Sequence, residues 1–237
     1  MFSKLRLYIS PFFLPRYYIQ RDIINVLSKY KFTGKIIDLG CGTKPYEALF
    51  KDIKEYEGID FKSYSINKDF QGGKPDYYFD KNYLETLNLP FKDDNFDHSV
   101  AFQVLEHHRN PAKMISEMSR VTKKGGYLLL TAPFLAGVHE EPNDYQRFTK
   151  YGLNELIRGF GNIVEYKEEG SVFSTISLLL NEHLNVFAAK NRIAYLVAAF
   201  IYLPFFIFQY LCIIFDKVLK SKRIYFNYLV LIKNEKK

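Results

Sequence analysis

The feature that most constrains the fold is a short apolar run that ends in a glycine turn. Residues 35–39 (KIIDL) are followed by Gly40, Cys41 and Gly42. An apolar run of this length that stops at glycines is typical of a buried strand in a parallel sheet. Glycine lets the backbone turn sharply and lie close to a ligand. The run therefore predicts an α/β fold with a ligand site where this strand ends.

Later segments alternate between strand and helix patterns. Strands are predicted at 35–39, 56–59, 96–102, 127–132, 163–167 and 224–232, and helices at 16–31, 46–51 and 150–159. One more helix is predicted to begin with Asn110 as its cap and Pro111 in its first turn, and to stop at Gly125-Gly126. Alternation of this kind is typical of a doubly wound, mostly parallel sheet covered by helices on both faces.

Length and charge narrow the class of protein. The chain has 237 residues, enough for one α/β domain with an addition. Its net charge of +7 suits anionic surfaces, but no basic stripe interleaved with aromatics predicts a nucleic-acid partner. Cys41 and Cys212 lie far apart and form no disulfide or metal pattern, and the first residues show no secretory signal. A cytoplasmic protein is expected.

Three residues bear on the ligand before any comparison with families. A dinucleotide site would need a further glycine after the turn, where this chain has Pro45, so a nicotinamide or flavin enzyme is disfavoured. Asp60 ends the second strand, 18 residues after Gly42, and can accept hydrogen bonds from ribose hydroxyls. The alternative is a solvated turn residue. Asp38, at the end of the first strand, would face a cationic group.

The motifs that follow the turn occur in a characteristic order. They are LPFKDDNFD at 89–97, QVLEH at 103–107 and RVTKKGGYLLL at 120–130. Together with the glycine turn, they resemble class I S-adenosylmethionine-dependent methyltransferases of the type 11/23-like group, over roughly residues 33–160. This resemblance implies a Rossmann-like fold whose last strand, at 224–232, is antiparallel. It also implies S-adenosylmethionine as the cofactor.

The resemblance assigns roles to residues of this chain. The cofactor-binding residues that it implies are Asp38, Gly40, Cys41, Gly42, Asp60, Asp80 and Gln103. The turn would hold the methionine part and Asp60 the ribose. Asp80 would bind the adenine amine, with Glu85 as the alternative, and Gln103 would face the methionine or the acceptor. Lys44 stands where the family often has a third glycine.

The stretch after the fifth strand resembles a signature of one methyltransferase subgroup. It runs from 133 to 149 (PFLAGVHEEPNDYQRFT) and should overhang the transferable methyl group. His139 is the candidate general base for a hydroxyl acceptor. Tyr145 and Arg147, with Asp144, could shape the acceptor site or bind an anionic group. Alternatively, Asp144 and Arg147 pin the loop and Tyr145 packs beneath it.

A metal ion is not expected. The chain contains Glu106, His107 and His108 in a row, but in the family this turn is architectural. Adjacent histidines on a turn also do not converge easily on one ion.

Residues 193–215 contain no charged side chain and, at 23 residues, are long enough to span a bilayer. A single span would separate the last strand from the sheet, so we expect Pro204 to break the segment into two shorter helices. These would form a hairpin that contacts a membrane surface, flanked by basic residues and tyrosines. The alternatives are a helical lid buried on the core or a dimer interface.

The chain is thus divided into four parts. These are an aromatic and basic segment with a helix (1–32), the methyltransferase domain (33–170), an apolar helical insertion (171–223) and the final strand with its tail (224–237). The predicted function is methyl transfer to an oxygen or carbon of a small or lipid-linked acceptor. Contact of the hairpin with a membrane would place the cytoplasmic protein peripherally on the inner face of the membrane, and the acceptor could then be lipid-linked. The alternative is a membrane-associated, non-catalytic cofactor-binding protein.

Overall fold

The computed structural model describes residues 13–62, 73–79, 83–86, 88–221 and 223–236. Seven strands form one sheet in the order β3-β2-β1-β4-β5-β7-β6. The strands are β1 (Gly34–Leu39), β2 (Ile53–Asp60), β3 (Tyr77–Tyr78), β4 (Phe96–Phe102), β5 (Thr122–Pro133), β6 (Gly161–Glu169) and β7 (Asn227–Asn234). All neighbours are parallel except β7, which is antiparallel to both β5 and β6. The predicted α/β class and the antiparallel last strand are confirmed.

Helices cover both faces of the sheet. They are α1 (Phe13–Lys29), α2 (Tyr83–Thr86), α3 (Pro111–Val121), α4 (Lys150–Ile157), α5 (Val172–Ala188) and α6 (Arg192–Val218), with short 3₁₀ turns at Glu47–Leu49 and Leu105–His107. One core lies between the sheet and α3 and α4. A second lies between the sheet and α1. The central strands are therefore apolar on both sides, as the apolar run at 35–39 predicted for β1.

Helix α3 begins as predicted but ends earlier. Asn110 Oδ1 accepts a hydrogen bond from the Lys113 amide at 3.0 Å, and Pro111 follows as the first helical residue. The expected stop at Gly125-Gly126 is wrong, because the helix ends at Val121 and β5 already contains the glycine pair. Asn234 of β7 donates its side-chain amide to the carbonyls of Ser119 and Thr122. A distant strand thus satisfies the helix end that a local glycine was expected to cap.

Helices α5 and α6 form a hairpin inserted between β6 and β7. Pro204 lies inside α6 and does not interrupt it, so the hairpin pairs α6 with α5 instead of pairing the two halves of 193–215. The two pieces of α6, Arg192–Tyr202 and Pro204–Val218, meet at a bend of 45°. A proline removes one backbone hydrogen bond and crowds the preceding turn, which bends a helix without ending it when packing holds both sides.

In the part of the chain that is described, no single helix meets the length and hydropathy requirement for crossing a membrane. The two bent pieces of α6 meet it only when they are taken together.

Candidate cofactor and acceptor site

A cavity of about 430 Å³ opens at the carboxyl ends of β1, β2 and β4. This is the point where the strand order reverses from β1 to β4, the usual ligand position in an open α/β sheet. Its volume lies in the range of small-molecule sites. The wall contains the glycine turn after β1, Asp60 at the end of β2, and Gln103 just after β4.

The glycine turn combines a tight contact with open space. Gly40 (φ +65°) donates its amide to the Ile59 carbonyl at 2.9 Å, and a Cβ there would lie 2.5 Å from a Val104 methyl carbon. Gly42 (φ +52°) also has a left-handed backbone, but a Cβ there would meet no atom within 4 Å. Gly40 is thus required by packing, whereas Gly42 borders empty space that a ligand can fill.

Asp60 links this turn to the second strand. Its carboxylate accepts hydrogen bonds from the Gly42 amide and the Phe61 amide, both at 2.6 Å. Burial raises the pKa of Asp60, and these two amide donors oppose the rise. Each oxygen still has a lone pair free for a further donor, as a ribose diol would require. The interpretation of Asp60 as a solvated turn residue does not agree with its 6% exposure.

Asp38 lies beneath the turn, outside the set of described residues that line the cavity. It is buried, and Tyr56 donates its hydroxyl hydrogen to the carboxylate at 2.7 Å. Burial raises the pKa of Asp38 to about 8. Its expected contact with a cationic ligand therefore stays a prediction.

Cys41 lies on the cavity wall, and burial raises the pKa of its thiol above the ordinary value. It packs in the turn as a small apolar residue. Asp80 and the side chain of Glu85 lie outside the described residues.

Lys44 stands where the family often has a third glycine, but its side chain does not line the cavity. Its φ of +54° keeps the left-handed backbone that glycine would adopt. The side chain turns away and pairs with Asp76, and its ammonium also lies 3.4 Å from the Tyr56 carbonyl. Thr43 and Pro45, on either side of Lys44, line the cavity.

Gln103 is held by residues from two other strands. Its side-chain amide donates to Thr131 of β5 and to Asn227 of β7, both at 3.0 Å. Its backbone has a φ of +57°, an uncommon value for a residue with a side chain. Gln103 thus faces the cavity in one fixed orientation, with its amide nitrogen already engaged.

An aromatic wall was missed by the sequence reasoning. Phe61, Phe79 and Tyr83 line one side of the cavity, with Phe79 and Tyr83 stacked at 3.9 Å between ring centroids. Tyr83 also shares a hydrogen bond of 2.9 Å with His108 Nε2. The available signal was the presence of aromatic residues directly after the second and third strands. Flat apolar rings at this position suit a planar base.

The loop after β5 (residues 134–149), which we call the acceptor loop, reaches the opposite rim of the cavity. His107, Glu140 and Asn143 line the wall there, and His139 does not. The His139 ring stands edge-on against His107, with centroids 4.8 Å apart. His107 Nδ1 lies 2.8 Å from the Asn143 carbonyl, and His139 Nδ1 lies 3.0 Å from the Gly137 carbonyl. A carbonyl only accepts, so each contact requires a proton on Nδ1 and leaves Nε2 as the acceptor atom of the neutral ring.

Glu106 is buried behind this rim. It is 0% exposed, and neither carboxylate oxygen has a hydrogen-bond partner among the described residues. Burial raises the pKa of Glu106 to about 8. Glu106, His107 and His139 bring potential ligand atoms within 4.8 Å of one another. A protonated carboxyl group is a poor metal ligand, so the absence of a metal stays our prediction.

Arg147 contacts the loop and not the cavity. Its guanidinium pairs with both oxygens of Asp144 at 2.6 and 2.7 Å, and donates to the carbonyls of Ala136 and Gly137. Hydrogen bonding from Arg147 lowers the pKa of Asp144 to about 2. Tyr145 lies between Asn143 and Arg109. These contacts favour the alternative in which the two charged residues pin the loop.

Comparison with known proteins supports the assignment of the domain. Residues 37–130 match the family model described as a methyltransferase domain. An uncharacterized protein of Methanocaldococcus jannaschii is 40% identical over 136 residues, which are 56% of this chain and 62% of that protein. The demethylmenaquinone methyltransferase of Paenarthrobacter aurescens is 35% identical over 114 residues, 46% of this chain and 43% of that enzyme. The chain spans about two fifths to three fifths of the length of its curated relatives.

Solved structures share the fold. The phosphoethanolamine N-methyltransferase 2 of Haemonchus contortus, in complex with S-adenosylmethionine, has a TM-score of 0.55 at 17% identity. The alignment covers 98% of this chain and 57% of that one. The resemblance seen in the motifs is confirmed: residues 37–130 match a methyltransferase domain, and the chain shares the fold of a methyltransferase solved with S-adenosylmethionine, the cofactor that the motifs predicted.

Proposed function

From the methyltransferase domain at residues 37–130, we propose that this chain transfers the methyl group of S-adenosylmethionine to an oxygen or carbon of a small or lipid-linked acceptor. The observation that carries the proposal is the pairing of Gly42 with Asp60 at the cavity wall, with open space above the glycine. These residues fit the cofactor, because the turn leaves room for its methionine part and the carboxylate can accept from its ribose.

The chemistry needs little from the protein beyond alignment. When bound, the cofactor would supply a methyl carbon attached to a positively charged sulfur. An acceptor aligned opposite the sulfur would bond to that carbon while the carbon–sulfur bond breaks and the sulfur leaves as a neutral thioether. The side chains orient the two reactants and exclude water. Gln103 is suited to orienting because its partners on β5 and β7 hold it in one position. No covalent intermediate on the protein is required.

His139 is the proposed general base for a hydroxyl acceptor. Its Nδ1 faces a carbonyl, so Nε2 can accept the proton that the hydroxyl loses. Its ring lies against His107, which lines the cavity. Tyr145 and Arg147 then act through the shape of the loop, since their side chains contact the loop and its neighbours.

The cofactor site is tested by calorimetry with S-adenosylmethionine and with NAD. We expect the wild-type protein to bind only the former. Asp60→Asn should weaken binding by roughly tenfold to a hundredfold, because charge-assisted hydrogen bonds contribute about 1.5–3 kcal/mol. Asp52→Asn, an exposed acid in the turn before β2, is the matched control and should bind normally. Equal affinities for the two variants would remove Asp60 from the site.

Catalysis is tested by transfer of tritium from S-adenosylmethionine labelled in its methyl group. Boiled cell extract supplies acceptors, and label is counted in the organic and aqueous fractions. His139→Gln should lower the rate by about 10²-fold or more without changing cofactor affinity. His183→Gln, an exposed histidine on α5, is the control. Cofactor binding without any transfer would favour the alternative, a non-catalytic binding protein.

A further inference from the structure

In the part of the chain that the structure describes, one face of the α5–α6 hairpin is packed and the other is exposed. The buried residues of α6 recur at helical spacing: Ala194, Ala198, Phe205, Gln209, Cys212, Ile213 and Asp216. They form a single stripe along the helix. Outside that stripe, α6 is still apolar and strongly exposed, with Phe200 at 83%, Ile193 at 76%, Val218 at 75% and Ile207 at 61%. A helix that is apolar all round normally has apolar material on every side.

The charges of the hairpin are sorted by sign. Its two acidic residues are directed inward. Asp216 is 5% exposed and accepts from the Phe173 amide, and Glu182 accepts from the Gly137 amide at 2.7 Å. The basic residues are exposed at both ends of α6: Lys190 and Arg192 at one end, and Lys217 and Lys220 at the other. An apolar face with cations at both ends complements an anionic lipid surface.

The geometry favours a helix that lies along the surface. No single described helix meets the requirement for crossing a membrane, and within one leaflet α6 can place the basic residues of both ends among headgroups only if its axis is parallel to the membrane plane. A coiled-coil pairing with a second copy of this chain needs a continuous seam, which the 45° bend at Pro204 interrupts. The chain also returns from α6 directly to β7 inside the sheet.

The hairpin is joined to the acceptor loop. Gly137 donates its amide hydrogen to the Glu182 carboxylate, and its carbonyl lies within hydrogen-bond distance of the His139 ring and the Arg147 guanidinium. A Cβ on Gly137 would lie 2.6 Å from a Glu182 oxygen, so helix and loop are in close contact. We propose that the exposed side of the α5–α6 hairpin docks on an anionic bilayer and places the acceptor loop at its surface. The further step, that the acceptor is drawn from the lipid phase, rests on the proposed function.

Docking is tested by flotation of the full chain with vesicles of phosphatidylcholine, with and without phosphatidylglycerol. The wild-type protein should float with the mixed vesicles and bind pure phosphatidylcholine more weakly. Phe200→Asp should lower the vesicle partition by about tenfold or more, because a large apolar side chain that would enter the bilayer is replaced by a charge. Tyr151→Asp introduces the same charge at a position on α4 that is 81% exposed, and it should leave the partition unchanged.

The basic ends are tested separately. Lys217→Glu with Lys220→Glu should lower the partition into phosphatidylglycerol vesicles by roughly tenfold or more. Lys51→Glu with Lys54→Glu, a pair of exposed lysines outside the hairpin, is the charge-matched control. If both double variants lose the same partition, net charge alone explains the binding, and docking through the hairpin is overturned.

Two further results would also overturn docking. One is a wild-type protein that binds S-adenosylmethionine but no vesicles; the proposed function would then remain. The other is a stable dimer in sedimentation that Phe200→Asp converts to monomer without any vesicle binding, which would assign the face to a second copy.

Vesicle binding without cofactor binding would instead support docking and refute the methyltransferase proposal. The lipid-phase acceptor is supported if Phe200→Asp binds cofactor normally but labels no organic-phase acceptor, and refuted if that labelling persists.

Discussion

Burial and pairing with an arginine set the pKa values of individual carboxyl groups near the cavity in opposite directions. Glu106 and Asp38 both have a pKa raised to about 8, because their carboxyl groups lie away from water. Asp144 has its pKa lowered to about 2, because Arg147 pairs with both of its oxygens. Below about pH 8 the carboxyl group of Glu106 behind the rim is therefore mostly protonated, whereas Asp144 in the loop is ionised at any pH well above 2.

The raised pKa of Glu106 predicts a pH dependence of stability. Its ordinary value is 4.5 and its value in the folded chain is about 8. Between these values the folded protein binds more protons than the unfolded one, so stability falls as pH rises. Glu106→Gln cannot ionise. Relative to wild type, it should gain on the order of 1–3 kcal/mol between pH 5 and pH 8.

Chemical denaturation at the two pH values measures this gain. Glu155→Gln, an exposed acid on α4, is the control and should follow the wild-type protein. A parallel pH dependence in Glu106→Gln and wild type would mean that Glu106 ionises normally in the folded chain.

The loop after β5 is held by a small number of polar contacts. Arg147 joins its two ends, since it contacts Ala136 and Gly137 near the start and Asp144 near the close. The planar guanidinium makes several of these contacts at once, which a lysine ammonium cannot reproduce. Arg147 and Asp144, and not His139, therefore hold in place the loop that carries His139.

Arg147→Lys should loosen this loop and leave the cofactor site intact. We expect protease cleavage within 134–149 to become several-fold faster, with a loss of about 1–3 kcal/mol in stability. Affinity for S-adenosylmethionine should not change, because Arg147 does not line the cavity. Limited proteolysis and calorimetry measure both quantities.

Arg158→Lys, which affects one exposed ion pair with Glu155, is the control for this loop. Unchanged cleavage combined with lost methyl transfer would instead support Arg147 as an anion-binding residue.

Strand β7 contacts parts of the fold that are far apart in the sequence. It lies between β5 and β6 and pairs with both along its length. Leu229, Val230, Leu231 and Ile232 are all 0% exposed. Asn227 supports Gln103 in the cavity, and Asn234 satisfies the end of α3. The last strand therefore contributes to the core, to one helix and to the site together.

A chain that ends at Ser221 should not fold cooperatively. It would lose β7 and expose the edges of β5 and β6, which then favours aggregation. A chain that ends at Asn234 retains β7 and, among the described contacts, loses those of Glu235 with Asn162 and of Lys236 with the carbonyls of Ser119 and Arg120. It should stay within about 1–2 kcal/mol of the full chain. Thermal unfolding followed by circular dichroism distinguishes them, and a cooperative transition in the shorter chain would contradict this prediction.

The sequence by itself determined most elements and the centre of the candidate cofactor site. The strand at 96–102 has the predicted bounds, Asn110 caps its helix, and the turn from Gly40 to Gly42 lines the cavity beside Asp60. These features depend on near neighbours along the chain: apolar periodicity, a cap three residues from its partner, and the left-handed backbone that glycine permits.

Only the tertiary structure decided the features that depend on distant residues. Asn234 ends α3 in place of Gly125, and Asn227 orients Gln103 across 124 positions of sequence. His107 reaches the cavity wall while His139 stands behind it, and α6 pairs with α5 around a bend at Pro204. The physical reason is common to all of them. Burial, dielectric environment and side-chain partners are set by which elements pack together, and no local pattern in the chain encodes that choice.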